Sequence, residues 1–483
     1  MDVKVISRNV GQALLISALF MFLSLIVSVV NGKDSALGPL AISFIITFIV
    51  GIFPFIFVRK TSDISLQDGF MIIVLSWLLS FIFGMLPYVL WGGEFTLINA
   101  WFESVSGYTT TGSTILTDVE ALPKGLQFWR SSTHFIGGLG VVVFLLLIMP
   151  DASPFRMRLT NIELSSLSRE GYRFRSIKTV HVIAFVYVFL AVTETLLLML
   201  AGMSFFDAVN HSFSTVATGG FSTKNSSIAY FDSPLIDIII IVFMALSSIH
   251  FGLLFAIFAT RSLKTFRHPV VKFFLGTIAV LSVLVTLSLK ISGTYDSWGK
   301  AALDAVFQVT SFLSTSGFAT ADNAHWPAFA NILLLYAAFQ CGCSGSTTGG
   351  VKSDRMLIAF KAIGRQLKQN LHPSSIMQLR VGNHFLKDNA AFSAILYIVL
   401  YVVVLLISFL LLVLFGVDSA EAISGALSSL GNAGPALDSI STMGNYSSQL
   451  GIAKFIYSMD MILGRLEIYP LFIVLSMIFR RRK

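Results

Sequence analysis

The stretch Ser314–Thr320 reads STSGFAT, polar and centred on a glycine, between apolar runs long enough to cross a membrane. Backbone N–H and C=O groups at that depth have no water to bond. A non-helical strip there is tolerated only against protein or along a water-filled path. The strip is not alone. TTTGSTI (Thr109–Ile115), ATGGFST (Ala217–Thr223) and GNAGPAL (Gly431–Leu437) sit in comparable settings along the same chain.

The surroundings fix the class. Of 483 residues, 55% are hydrophobic and 12% charged, and runs of about 20 apolar residues are membrane spans. Ten apolar runs, from Ala13–Val30 to Ile456–Phe479, predict an all-α polytopic membrane protein. Leu235–Ala259 and Ile456–Phe479 read as continuous spans. Ile332–Phe339 is short and breaks off at a Gly/Ser-rich segment, which predicts a broken helix. The first run has no small-residue cleavage site close behind it and reads as a retained span.

The net charge of +8 is not a nucleic-acid signal. The basic residues gather in Arg156–Lys178, Arg261–Lys272, Lys352–Lys387 and the tail Arg480–Lys483, with Lys4, Arg8, Arg59 and Lys60 near the start. Such segments are expected on the cytoplasmic side, with both termini. Asn31–Leu37 and Thr442–Ala453 then face outside. No extended hydrophilic domain is expected, so a regulatory module would be a separate chain. Cys341 and Cys343 read as small packing residues, with no cluster to complete a metal site.

Anchored on Gly112, Gly220, Gly317 and Gly434, the sequence repeats. Thirteen residues upstream stand Asn99, Asp207, Asp304 and Glu421, each followed by alanine. Six upstream stand Ser106, Ser214, Ser311 and Ser428, and two upstream Thr110, Thr218, Thr315 and Asn432. Each copy reads as a span, a short apolar segment of about ten residues, too short to cross, the strip, and a second span. Asn99, Asp207, Asp304 and Glu421 suit the N-termini of the short helices, where free N–H groups and the helix dipole favour them. The expected organisation is a two-helix extension (1–65) and four repeats (66–178, 179–271, 272–387 and 388–483) around one pseudo-fourfold axis.

Glycine reaches positive φ and lets backbones approach closely. Four such strips can aim carbonyl oxygens at one axis and replace the hydration shell of a potassium ion. The short helices would turn their negative C-terminal ends toward the path. Phe221 and Phe318, directly after two of the glycines, read as wedges.

TTTGST, STVATGGFST, STSGFATAD and GNAGPAL, with CGCSGSTTGGVKSDR and the last helix around Arg465, resemble the potassium-transporter superfamily of the TrkH, KtrB and plant HKT proteins, and within it the TrkH family. The resemblance spans essentially the whole chain. It implies potassium uptake across a bacterial inner membrane through a four-repeat pore, a homodimer in the lipid bilayer, and a cytosolic nucleotide-binding TrkA-type ring that controls opening. Residue by residue, it assigns potassium coordination to Thr110, Thr111 and Gly112; Thr218, Gly219 and Gly220; Thr315, Ser316 and Gly317; and Asn432, Ala433 and Gly434. Serine at the first glycine goes with sodium preference in HKT proteins, so Gly112 implies potassium. The fourth strip departs most from the others, and selectivity below that of a symmetric potassium channel is expected.

The run Gly342–Gly350, GCSGSTTGG, interrupts the second span of the third repeat. Glycine at this density disfavours helix. The resemblance implies a gate of Gly342, Gly345, Ser346, Thr347, Thr348, Gly349 and Gly350 lying under the filter. The alternative is a tight turn or close helix packing. Arg465, inside the last apolar run, either guards the ion path or serves a structural ion pair. Glu467 and Asp460 are poorly spaced to be its helical partners. Two rival functions remain. One is a proton- or sodium-coupled symporter of the same architecture, opposed by acids that cluster where helix capping explains them. The other is an intramembrane serine protease, from the string Gly342-Cys343-Ser344-Gly345 with His134, His211 or His250 as base.

Overall fold

The computed structural model describes residues 2–58, 65–147, 176–260, 266–374, 378–382, 384–386 and 388–480. Arg59, Lys60, most of Arg156–Lys178, Arg261, Lys264, Lys387 and Arg481–Lys483 lie outside the described residues. The described chain is helical apart from a small antiparallel hairpin, β1 (Leu379–Val381) and β2 (His384–Leu386). Six helices are long and apolar enough to cross a membrane, or seven spans if one bent pair counts as one.

The chain opens with an antiparallel helical hairpin, α1 (Val3–Val30) and α2 (Leu37–Phe57). At its turn Asp34 accepts the Ala36 N–H through Oδ1 (3.2 Å) and the Gly125 N–H through Oδ2 (3.0 Å), which fastens the hairpin to the body. Gly11 and Gly51 face each other. A Cβ on Gly51 would lie 3.1 Å from the Gly11 carbonyl oxygen, so the two backbones are in contact. Helices in lipid gain their association from close approach of this kind.

One order of elements then recurs four times. The first unit has α3 (Leu66–Gly84), α4 (Leu86–Trp91), the short helix α5 (Leu97–Tyr108) and α6 (Lys124–Leu147). The second has α7 (Ser176–Leu200), the short α8 (Phe205–Ala217), α9 (Pro234–Ser247) and α10 (Phe251–Thr260). The third has α11 (Pro269–Ile291), the short α12 (Trp298–Leu313), α13 (Ala328–Gln340) and α14 (Ser353–Leu371). The fourth has α15 (Asp388–Leu414), the short α16 (Ser419–Gly431), α17 (Gly451–Arg465) and α18 (Tyr469–Arg480). The short helices have 12, 13, 16 and 13 residues. At 1.5 Å per residue all four fall short of a bilayer core about 30 Å thick.

The packing of the short helices closes a ring. Each lies against the second helix of its own unit and that of the preceding unit: α8 on α9 and α6, α12 on α13 and α9, α16 on α17 and α13, and α5 on α6 and α17. The four strips therefore follow one another around a common centre.

Two details differ from the sequence reading. The N-caps of the short helices are Thr96, Ser204, Ser297 and Asp418. Asn99, Asp207 and Glu421 stand third in their helices, still in the dipole-sensitive first turn, while Asp304 stands seventh because α12 starts a turn earlier. Second, the break expected only in the third unit occurs in all four. α6 has Gly140 at φ 47°, α9 and α10 meet at 107°, α13 and α14 are separated by the loop from Cys341 to Lys352, and Glu467 and Ile468 at φ 55° and 60° part α17 from α18. Leu235–Ala259 is thus a bent pair and Ile456–Phe479 a broken one, with Ser247, Ser248 and His250 at the first break and Arg465 and Glu467 at the second.

The Gly11–Gly51 contact gives a direct test. Gly51→Leu should force α1 from α2 and lower the thermal midpoint of the detergent-purified protein by several degrees, as expected for overpacking of about 1–3 kcal/mol. A melt monitored by tryptophan fluorescence checks this.

Candidate functional site

All four short helices end in the same backbone turn. Thr110, Thr218, Thr315 and Asn432 take left-handed φ of 55°, 58°, 57° and 54°. In each turn the left-handed residue's N–H donates three residues back, to Gly107, Thr215, Phe312 or Ser429 (2.9–3.2 Å). The next N–H, from Thr111, Gly219, Ser316 or Ala433, donates to the carbonyl of Ser106, Ser214, Ser311 or Ser428 (2.8–2.9 Å). This is the Schellman pair of bonds, and its longer bond falls on the backbone carbonyl of the repeated serine. Glycine normally occupies the left-handed site. A β-branched threonine there is an outlier costing about 1–2 kcal/mol, and strain of this kind concentrates at functional sites.

Two residues later the strip glycines have φ of 80°, 80°, 74° and 93°. Their missing side chains face the neighbouring strip. A Cβ on Gly112 would strike the Gly219 carbonyl oxygen, one on Gly220 that of Ser316, one on Gly317 would lie 2.7 Å from that of Ala433, and one on Gly434 would strike that of Thr111. The sequence of contacts runs from strip 1 through 2, 3 and 4 back to 1. The twelve strip residues expected to act together are thus brought into one closed ring. Side chains add links across it. Ser113 Oγ donates to the Gly434 carbonyl (3.1 Å), and Asn432 Nδ2 to Thr111 Oγ1 (3.1 Å) and the Met461 carbonyl (2.9 Å). Phe221 and Phe318 are buried beside the strips.

The loop between α13 and α14 lies against the helix-end side of this ring. The Gly349 N–H donates to Thr315 Oγ1 (3.3 Å), and a Cβ on Gly349 would meet the Asn432 side chain. The loop is also tied to the break between α9 and α10. The Cys343 N–H donates to the Ser248 carbonyl (2.9 Å) and the Phe251 N–H to that of Gly345 (3.1 Å). Ser346 Oγ bonds the Cys343 carbonyl (2.6 Å) and Thr348 Oγ1 (2.8 Å). Gly342 and Gly350 permit close approach, the first to Thr348 and the second to Cys341. The flexible-loop and packed-turn readings are therefore not exclusive, because this glycine-rich run is packed and lies under the strips.

Arg465 ends α17 and reaches the loop. Its Nη1 donates to the Thr347 carbonyl (2.5 Å), its Nη2 to the Gly137 carbonyl, and its guanidinium carbon lies 5.9 Å from the Trp77 ring centroid. Glu467 pairs with Arg355 instead (2.5 Å), and Asp460 accepts from Ser408 (2.5 Å). Below the loop is a cavity of about 90 Å³, lined in part by Gly345, Ser346, Gly349, Lys352, Arg465 and Glu467. The sequence places Lys352 in a run of charges expected on the cytoplasmic side. It is buried, and its Nζ donates to the Thr348 carbonyl. Two cations thus hold adjacent loop carbonyls.

The family model described as "Cation transport protein", TrkH, matches residues 39–481. The chain belongs to the TrkH family. Over the full length of both chains it is 35% identical to the Trk system potassium uptake protein TrkH of Salmonella typhimurium, and likewise to that of Escherichia coli. The crystal structure of the potassium transporter TrkH from Vibrio parahaemolyticus superposes with a TM-score of 0.88 at 31% identity, covering 98% of this chain and 99% of that one. Family membership makes the chain a multi-pass transporter and not an enzyme. The protease string lies within the packed loop, where Ser344 Oγ donates to the Asp354 carboxylate (2.5 Å).

The glycine contacts predict one outcome sharply. Gly220→Ala pushes a methyl into the Ser316 carbonyl and should abolish selective cation flux in liposomes. Gly276→Ala, whose added carbon meets nothing within 4 Å beyond its own helix backbone, should leave flux at the level of the unsubstituted protein.

Proposed function

We propose that this chain carries potassium into the cell across a bacterial inner membrane, with the ring of strips as its filter. The observation that carries this reading is the cyclic contact of each strip glycine with the carbonyl before the next one. Such a ring offers a dehydrated cation inward-facing oxygens in place of water. The coordinating backbone is Thr110–Gly112, Thr218–Gly220, Thr315–Gly317 and Asn432–Gly434, and potassium is the cargo. The left-handed turns give the strips their inward course, and the C-terminal ends of the short helices add negative potential. The relatives, potassium uptake proteins of Trk systems, support the same ion.

The gate is the loop Gly342–Gly350 held by Arg465. Its placement against Thr315 and Asn432 supports a block at the cytoplasmic end of the filter. A positive group there repels cations until it moves. The chain acts as the membrane subunit of its system, as a homodimer with both termini in the cytoplasm. The partner that opens it is a cytosolic nucleotide-binding ring of TrkA type.

Coupled symport is the second reading, and one residue favours it. The sequence reading ascribed the acids to helix capping, yet Glu194 is fully buried within α7. Neither of its carboxyl oxygens has a hydrogen-bond partner among the described residues. The neighbouring Thr215 hydroxyl donates to the His211 carbonyl (2.8 Å). An acid so placed is a natural proton carrier.

Purified protein in liposomes separates these readings. Potassium and rubidium flux down their own gradients, with sodium slower and no pH gradient imposed, supports the channel-like path. Flux only with an imposed pH gradient, lost in Glu194→Gln, supports coupling. Arg465→Ala should raise basal potassium flux several-fold, and an unchanged flux from intact protein would remove Arg465 from the gate.

A further inference from the structure

The space behind the strips is braced differently in each unit. Nine residues before the strip glycines stand Glu103, His211, Gln308 and Gly425. Three of these reach from the short helix to the segment that follows the glycine. Glu103 Oε2 accepts the Ile115 N–H (3.1 Å), and Thr114 Oγ1 lies 3.0 and 3.1 Å from its two oxygens. His211 Nε2 meets Ser222 Oγ (2.9 Å), and Gln308 Nε2 donates to the Ala321 carbonyl (2.5 Å). In the fourth unit Gly425 leaves room for the Tyr457 ring, and Ser424 Oγ accepts the Leu437 N–H (3.2 Å) instead.

The carboxylate in the first unit has a buried cation of its own. Arg130 of α6 donates to Glu103 Oε1 through Nε (2.8 Å) and Nη2 (2.7 Å), with both side chains at most 2% exposed. Nη2 also reaches Thr114 Oγ1 (3.2 Å), and Nη1 the Ser222 carbonyl (3.4 Å). The guanidinium lies 4.0 Å from the centroid of Phe221, and His134, one turn along α6, stacks on that ring at 4.1 Å. One planar fork therefore grips strip 1 through Glu103 and Thr114, and strip 2 through Ser222 and Phe221.

We propose that Glu103 and Arg130 are positioning residues for ion selection, and that their pairing fixes the separation of strips 1 and 2. The proposal rests on the filter reading above. A carbonyl ring free to contract fits the smaller sodium ion, so discrimination requires that neighbouring strips be held apart as well as together. A guanidinium bonded to both strips does this in a way an ammonium cannot, because its donors are fixed in one plane. Removing either partner leaves the other charge buried and uncompensated, and the strips it held relax.

The test compares the unsubstituted protein with E103Q, R130Q, R130K and T114V in liposomes. Potassium-over-sodium permeability is read from reversal potentials, and melting and gel filtration are measured in parallel. E103Q and R130Q should lose about tenfold in discrimination while still conducting potassium. T114V, which removes one hydroxyl and keeps the pair, should lose about threefold. R130K should fall between R130Q and the unsubstituted protein. A permeability ratio unchanged in folded, conducting variants overturns the proposal, even where melting drops. Should the pair variants not be recovered folded, T114V decides, and an unchanged ratio there overturns it. Conduction by the unsubstituted protein with no discrimination between potassium and sodium would instead remove the filter reading itself.

Discussion

Backbone polar groups inside a bilayer must be satisfied, and the whole architecture follows from how four non-helical strips meet that demand. Each strip begins at a left-handed residue whose turn returns two N–H groups to the short helix, at the carbonyls of Ser106, Ser214, Ser311 and Ser428 and the residues beside them. The carbonyls that remain can then turn toward one another around the ring. This geometry admits no side chain at the four glycines, because the next strip's carbonyl occupies that space. The short helices, the second spans that flank them and the loop below are the scaffold that holds this ring in lipid.

The repeat is fourfold in backbone and not in side chains. The left-handed turns agree to within a few degrees of φ, whereas the supports behind them are a carboxylate–guanidinium pair, a histidine, a glutamine and a tyrosine-filled gap. Below the ring every unit breaks, but the breaks differ. Among the described residues the third unit supplies the long loop, and the fourth supplies Asn432 and Arg465 to meet it. Asn432 joins strip 1 to α17, and Arg465, four residues beyond Met461 on that helix, holds Thr347. Ring and loop therefore share a short chain of contacts through α17.

The ring was legible in the sequence because its constraint is local. Glycine, the left-handed residue and the serine carbonyl recur at fixed spacing, and hydropathy marks the short helices as unable to cross. The breaks between α9 and α10 and between α17 and α18 were not legible, because a few polar residues leave each long run apolar on average and hydropathy carries no backbone direction. Lys352 was misread for a related reason. A lysine after a glycine run resembles a surface charge until the carbonyl that receives it is known. Glu103 and Arg130 lie 27 residues apart on different helices, and the repeat alignment hides them by placing histidine, glutamine and glycine at the matching positions.

The central claim is that the four strips together bind a dehydrated cation, and the most direct measurement locates that ion. Crystals grown in rubidium salts and measured at the rubidium edge would show anomalous density wherever the ion rests. Density on the axis, within coordinating distance of the carbonyls of Thr111, Gly219, Ser316 and Ala433, is the predicted result. Ordered strips with no density between them, and rubidium bound elsewhere in the chain, would contradict it.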